Sequence, residues 1–182
     1  MEAYDPHQNQ WMDLPAMSTA RSGLGVGVLD GLLYACGGWR SGVVEVYNPT
    51  LRAWITLSPM PAPRCNPGVA AADGLLYVCG GCDARGNATS SVYSYKPSTG
   101  QWKEEPPMNY VREGLGVVSV GDLIYAVGGT GRETSNNAQP EEDEMQLSSS
   151  EVFDPTTGVW TVLDDMPGPR DALALVHVQD EE

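Results

Sequence analysis

Few side chains in this sequence are equipped for covalent or metal chemistry: four cysteines and two histidines among 182 residues. Cys79-Gly80-Gly81-Cys82 has the C-x-x-C spacing of a zinc knuckle or a redox pair. The first needs a second ligand pair and the second a helix N-terminus, and the sequence supplies neither. Cys36 and Val127 occupy the position equivalent to Cys79 in the repeating units of this chain, which marks it as an apolar strand position. His7 and His177 lie near the two ends, so a Ser-His-Asp or Cys-His arrangement would have to use one of them. Gly23-Leu24-Gly25-Val26-Gly27 imitates a dinucleotide fingerprint but precedes a strand pattern, where that fingerprint opens a helix. Asn87-Ala88-Thr89 has the form of a glycosylation acceptor. Met1 to Gln10 has neither the basic nor the apolar region of a secretory leader, so that acceptor is expected to be idle. No catalytic residue, metal or cofactor is expected.

Charge narrows the partners. With 24 acidic and 10 basic side chains the chain carries a formal −14, the wrong sign for a phosphate backbone. No apolar run approaches the ~20 residues of a membrane helix. The 41% apolar content supports a packed core in spite of the charge. The four cysteines do not form a disulfide framework, and a reducing, cytoplasmic location is the simpler expectation. Glu133 and the run Glu141-Glu142-Asp143-Glu144 fall in one connection, 130–150, expected to be a solvated loop. Read more sharply, it is an acidic arm that speeds encounter with a basic partner.

Such residues act only if something positions them, and here the positioning is periodic. Tyr4, Tyr47, Tyr95 and Phe153 each begin an aromatic-x-Pro element, and each is followed seven positions later by Trp11, Trp54, Trp102 or Trp160. Met17, Met60, Met108 and Met166 follow those tryptophans at one fixed interval, and Arg21, Arg64, Arg112 and Arg170 stand four positions after the methionines. Gly37-Gly38, Gly80-Gly81 and Gly128-Gly129 follow the first three arginines, again at a constant distance. Only the interval from Gly-Gly to the next aromatic varies, lengthening from Gly37–Tyr47 to Gly80–Tyr95 to Gly128–Phe153. Each unit holds four short apolar runs, a to d, separated by turn residues such as Asp30-Gly31, Asp73-Gly74 and Gly121-Asp122. Gly-Gly ends strand b, where backbones must approach closely and φ turns positive. The recurring aromatics supply apolar faces between neighbouring sheets. A lone four-stranded sheet cannot hide both faces, whereas copies stacked about an axis can.

Gly-Gly after an apolar strand, followed by spaced Tyr and Trp, resembles the kelch repeat, and the aromatic-x-Pro and Met-x-x-x-Arg elements look most like the kelch-like proteins. The resemblance covers about residues 3–178. It implies an all-β fold, a kelch-type β-propeller of four-stranded antiparallel blades, here incomplete. The chain is expected as one propeller segment, 1–182. Within it, 3–17 hold strands c and d of a partial blade, 21–60, 64–108 and 112–166 are full blades, and 170–178 form a single strand a. No segment remains for the strand b of a closing blade, so an open arc is expected.

Members of the kelch-like family join such a propeller to BTB and helical BACK domains and present substrates to cullin-3 ubiquitin ligases. The resemblance therefore implies a non-catalytic protein-interaction module for a substrate protein. Cullin-3 would be reached only through a BTB domain, of which these residues show no trace. Kelch propellers also bind actin filaments, a scaffold reading, and galactose-oxidase-like kelch proteins hold copper, for which two terminal histidines are too few. Family members bind targets on the face formed by the d–a and b–c connections. There, Trp39, Arg40 and Tyr110 lie off the core register and are of residue types that dominate interfaces. Arg21, Arg64, Arg112 and Asn66 lie near the same face. The arginines' repetition points to a structural task, satisfying strand-end carbonyls, ahead of binding. Tyr93 stands where Glu45 and Glu151 stand in the other units.

Overall fold

The computed structural model describes residues 1–134 and 145–178, and its regular elements are all strands. β1 (Glu2–Asp5) and β2 (Gln10–Asp13) form a two-stranded sheet. β3 (Gly25–Leu29), β4 (Leu32–Cys36), β5 (Val44–Asn48) and β6 (Ala53–Thr56) form a four-stranded one in chain order. β7 (Gly68–Ala72), β8 (Leu75–Cys79), β9 (Val92–Lys96) and β10 (Gln101–Glu105) repeat it. β11 (Tyr110–Glu113) then leaves the series. β12 (Gly116–Val120) and β13 (Leu123–Val127) pair with β16 (Ser150–Asp154) and β17 (Val159–Leu163) in a third four-stranded sheet. β14 (Thr130–Glu133) and β15 (Met145–Gln146) join β11 in a small side sheet. All pairings between these strands are antiparallel.

Local chemistry sets these elements. Asp30 and Gly31 both take positive φ (51° and 72°), the two-residue turn that brings Leu29 opposite Leu32. Asp73 and Gly74 (48° and 68°) do the same between Ala72 and Leu75. The innermost strands then pack in series, β3 on β7 and β7 on β12. A Cβ on Gly25 would stand 2.5 Å from Val69 Cγ2, and one on Gly68 2.1 Å from Val117 Cγ2. Side chains are absent there because the next sheet fills the space. Two apolar clusters result. One joins Tyr34, Cys36, Val44 and Val46 to Leu76, Val78 and Tyr95, and the other joins Tyr77, Cys79 and Val92 to Ile124, Phe153 and Trp160.

The four repeated tryptophans have related surroundings. Each packs against the aromatic opposite it, tilted in the first three pairs and stacked in the last, with centroids 5.4, 5.4, 4.8 and 5.0 Å apart for Tyr4–Trp11, Tyr47–Trp54, Tyr95–Trp102 and Phe153–Trp160. The indole N–H of Trp54, Trp102 and Trp160 donates across the sheet junction to the carbonyls of Pro15, Ser58 and Pro106, at 3.0 Å each time. Each acceptor lies four positions after the previous tryptophan.

Two expectations are corrected. The connection 130–150 is not wholly a solvated loop. Its first part is β14, because the backbone of β11 offers it a ladder from Tyr110↔Glu133 to Glu113↔Thr130. The acidic run Glu141–Glu144 lies outside the described residues. Ala172 to Val178 forms no strand, since no strand b lies beside it. It keeps the packing register nonetheless: a Cβ on Gly116 would meet Leu175 Cγ at 2.6 Å, as Gly25 meets Val69 and Gly68 meets Val117.

Candidate functional site

The d–a and b–c connections share one end of the sheets and are tied by a repeated frame. The first Gly of each pair closes its own b–c connection: Gly37 N–H donates to Val43 O (2.9 Å), Gly80 to Ser91 O (3.0 Å) and Gly128 to Ser149 O (3.0 Å). The second Gly reaches the following d–a connection, Gly38 to Arg64 O, Gly81 to Arg112 O and Gly129 to Arg170 O, all at 2.8 Å. Positive φ at every one of these glycines, and an arginine carbonyl 2.3 Å from any Cβ on Gly37, restrict this corner to glycine. Loops of different length therefore leave and rejoin the same frame.

The repeated arginines belong to that frame. Arg21 Nη1 donates to Gly37 O and Val43 O at 2.7 Å, and its Nη2 pairs with Glu45 at 2.7 Å. Arg112 Nη1 donates to Gly128 O and Ser149 O at 2.8 and 3.0 Å, and its Nε pairs with Glu151 at 3.0 Å. Neither Arg112 nor Glu151 touches solvent. Burial would push the Glu45 carboxyl up, but the Ser18 hydroxyl and amide, with the Arg21 charge, outweigh it and hold Glu45 below its ordinary value. Burial pulls the Arg112 guanidinium down against the opposing pull of Glu151. Arg64 differs. Tyr93 replaces its carboxylate, so it donates to Ser91 Oγ and to Tyr93 OH (3.3 Å) and lies 5.1 Å over the Tyr93 ring, while its Nε, like that of Arg21, is unpartnered. Strand-end carbonyls draw Arg21 and Arg112 inward, and Ser91, Tyr93 and the Pro63 carbonyl hold Arg64, so all three side chains brace connections.

The other singled-out residues do not form one cluster. Trp39, directly after Gly38, is 58% exposed, while Cys82 and Thr130 at the equivalent positions are buried and half-buried. Its backbone N–H donates to Ser22 O (2.9 Å), and the Arg40 guanidinium lies 5.7 Å from its ring centroid. Tyr110, expected on a loop, is instead the first residue of β11, half-buried, with its ring 4.8 Å from the Arg112 guanidinium carbon. The ladder to β14 is what draws it into a strand. Burial, then Glu133, raises its phenol pKa. Asn66 is exposed, reaches Glu113 Oε2 at 3.4 Å, and borders a cavity of about 290 Å³ with Glu113, Thr130 and Asp171.

Some site features escaped sequence reasoning. The position two after each repeated arginine, Gly23, Asn66, Gly114 or Ala172, has φ between 49° and 65°. There Asn66 N–H donates to Gly23 O (2.7 Å) and Gly114 N–H to Asn66 O (3.0 Å), a stitch running from junction to junction. The Arg-x-Gly at 21–23 and Arg-x-Gly at 112–114 were its available signal. Cys82 faces Cys65 through reciprocal backbone bonds of 3.0 and 2.7 Å. Burial and Glu113 push its thiol up to about 12, and burial pushes Cys36 up to about 12, so neither is an activated thiolate. No group of three His, Cys, Asp or Glu among the described residues is arranged to hold a metal ion.

The model of the Kelch motif matches residues 20–61, 63–109 and 112–167, one match for each four-stranded sheet. The chain belongs to the kelch-repeat family. Its sheets are blades of an unclosed β-propeller, and kelch repeats of this kind are protein-interaction modules. A curated relative, Kelch-like ECH-associated protein 1A of Danio rerio, is 55% identical over 38 residues, which are 21% of this chain and 6% of that protein. The solved structure of YjhT superposes with a TM-score of 0.72 at 20% identity, covering 85% of this kelch chain and 53% of that one. At that identity the likeness concerns the fold.

Proposed function

We propose that this kelch segment is the substrate-binding part of a kelch-like adaptor for a cullin-3 ubiquitin ligase, acting in the cytoplasm without catalysis of its own. The observation that carries the reading is Trp39. It projects 58% exposed, with Arg40 stacked beside it, from a b–c connection whose frame is otherwise glycine and buried arginine. An aromatic–arginine pair on a rigid base is a typical interface anchor. Free cysteines at all four positions fit a reducing compartment. Recruitment of the ligase would use a BTB domain on a separate segment, as the family resemblance implies.

The test is co-precipitation from cells with and without proteasome inhibition. A substrate should accumulate on inhibition and be lost with Trp39→Ala, while Trp39→Ala keeps wild-type stability. Trp160→Ala, which empties a buried site and removes the bond to Pro106 O, should instead cost about 3–5 kcal/mol. A partner whose level ignores proteasome inhibition, or one that co-sediments with actin filaments, would replace the adaptor reading with a scaffold. Equal unfolding by both substitutions would refute the division between anchor and core.

A further inference from the structure

One polar break interrupts the apolar register of the blades. The face that the second four-stranded sheet turns toward the third carries Tyr77, Ser94, Lys103 and Glu105. Counted from the aromatic and the tryptophan of each c–d hairpin, the last three positions hold Val46, Ile55 and Leu57 in the first sheet and Val152, Thr161 and Leu163 in the third. Ser94 and Glu105 are nonetheless buried. The Ser94 hydroxyl donates to Glu105 Oε1 and the Lys103 ammonium to Oε2, both at 2.7 Å. A buried carboxylate, even a paired one, adds no stability over the leucine that stands in the other sheets, so packing alone gives no reason for Glu105.

That face borders a cavity of about 260 Å³, to which the third sheet contributes Asp122 and Pro155. Asp73, Glu105 and Asp122 give it three carboxylates against the one ammonium of Lys103, whose side chain is 73% exposed. Tyr77 also lines it. The Tyr77 ring stands edge-on to Phe153 within the junction and the residue is only 2% exposed, yet its hydroxyl has no hydrogen-bond partner among the described residues. Burial, then Glu105 and Asp73, push the phenol up to about 12, so the hydroxyl keeps its proton and can accept as well as donate. Tyr34, its counterpart in the first sheet, lies instead in an apolar cluster with Val46 and Leu57. Three acids, one of them buried, and an idle buried hydroxyl are complementary to a group that carries positive charge and several N–H donors.

We propose that this cavity between the second and third blades binds a primary ammonium or guanidinium group, carried by a small amine or by a lysine or arginine side chain of a protein partner. Glu105 and the two aspartates hold the charge, the Tyr77 hydroxyl accepts one N–H, and Leu75 and Pro155 cover the methylene stem. Lys103 yields Glu105 Oε2 to the incoming group and turns its ammonium to solvent, a small loss for so exposed a side chain. The site shares no residue with the Trp39 connection, so it stands or falls apart from the adaptor reading.

Two-dimensional NMR of the 182-residue chain tests this, with n-butylammonium and a capped tripeptide with a central arginine as probes and n-butanol as the neutral control. At least one of the cations should shift the amides of Leu75, Tyr77 and Glu105 saturably, and butanol should not. Binding of the amine alone assigns the site to small amines, and binding of the peptide assigns it to a partner's side chain; either carries the proposal. Glu105→Gln should weaken binding about tenfold or more. Tyr77→Phe should weaken it a few-fold with stability unchanged, since the hydroxyl it removes is unpartnered. Lys103→Gln should tighten it several-fold, because the competing ammonium is gone. Ser94→Val with Glu105→Leu, the residues of the first sheet, should fold and abolish binding. No saturable shift with either cation, or shifts that butanol equals, would overturn the proposal. So would cation binding that Glu105→Gln fails to weaken or Lys103→Gln fails to strengthen.

Discussion

Glu151→Gln preserves the shape of a buried side chain while removing the charge opposite Arg112. Both partners are wholly withdrawn from solvent, with 3.0 Å between Arg112 Nε and Glu151 Oε1. Arg112 would keep its bonds to the Gly128 and Ser149 carbonyls and to the Ser149 hydroxyl, so its place in the fold is held while its charge is orphaned. The other carboxylate oxygen accepts the Asn109 backbone N–H at 2.7 Å and its amide at 3.1 Å, and a glutamine NH2 turned that way cannot accept either. Breaking a buried pair from one side costs about 3–5 kcal/mol, and an unsatisfied buried N–H about 1–3 kcal/mol. The two losses share one carboxylate and do not add in full, so about 4 kcal/mol is expected. Urea unfolding measures it, with an unchanged slope showing that only stability has moved. Lys103→Gln is the control: its partner is Glu105 but its own side chain is 73% exposed, so less than about 1 kcal/mol should be lost. The double replacement Arg112→Met with Glu151→Leu should lie closer to wild type than Glu151→Gln does, since it leaves no charge behind. A loss for Glu151→Gln no larger than that for Lys103→Gln would refute the view that this pair holds the connection in place.

Acid should expose the other pair. The folded Glu45 carboxyl titrates below its ordinary 4.5, so the folded chain binds fewer protons there than the unfolded one, and the contribution is complete above that pH and fades as pH falls through the folded value. The difference in Tm between wild type and Glu45→Gln should shrink on acidification below pH 4.5, and a difference independent of pH would contradict the linkage. Gly68→Ala should destabilise by about 1–3 kcal/mol in chemical denaturation, because its Cβ would stand 2.1 Å from Val117 Cγ2 between two blades. Gly168→Ala, with nothing within 4 Å, should be neutral, and equal effects would show that the inner strands have room to spare.

The architecture was legible because its contacts obey the sequence offsets. The constant interval from aromatic to tryptophan is the distance across a c–d hairpin, and the indole bond then recurs four positions past each tryptophan. The candidate site was less legible, and particular residues show why. Arg64 carries the same offsets as Arg21 and Arg112, yet Tyr93 changes its partner from a carboxylate to a ring and a hydroxyl. β14 has no apolar alternation, and it pairs with β11 across the whole of the intervening β12–β13 hairpin, beyond any local signal. Trp39 could be singled out only because it fell outside the periodic set.

Loop length is where this fold separates stability from recognition. The bond from the first Gly to the residue before strand c is 2.9 to 3.0 Å in all three blades, although the connection it closes lengthens from Gly37–Val43 to Gly80–Ser91 to Gly128–Ser149. Closing a longer loop costs little, roughly 0.6 kcal/mol per doubling. Lengthening a b–c connection therefore leaves the Gly-Gly corner and the blade packing as they were, and changes only what stands above them. The same frame carries Trp39 on its shortest connection, the Cys82–Cys65 contact on the next, and a strand pairing with β11 on the longest. A binding face assembled in this way can change its partner without repacking a core, which is the physical reason to look for recognition in these connections and for stability in the residues that repeat.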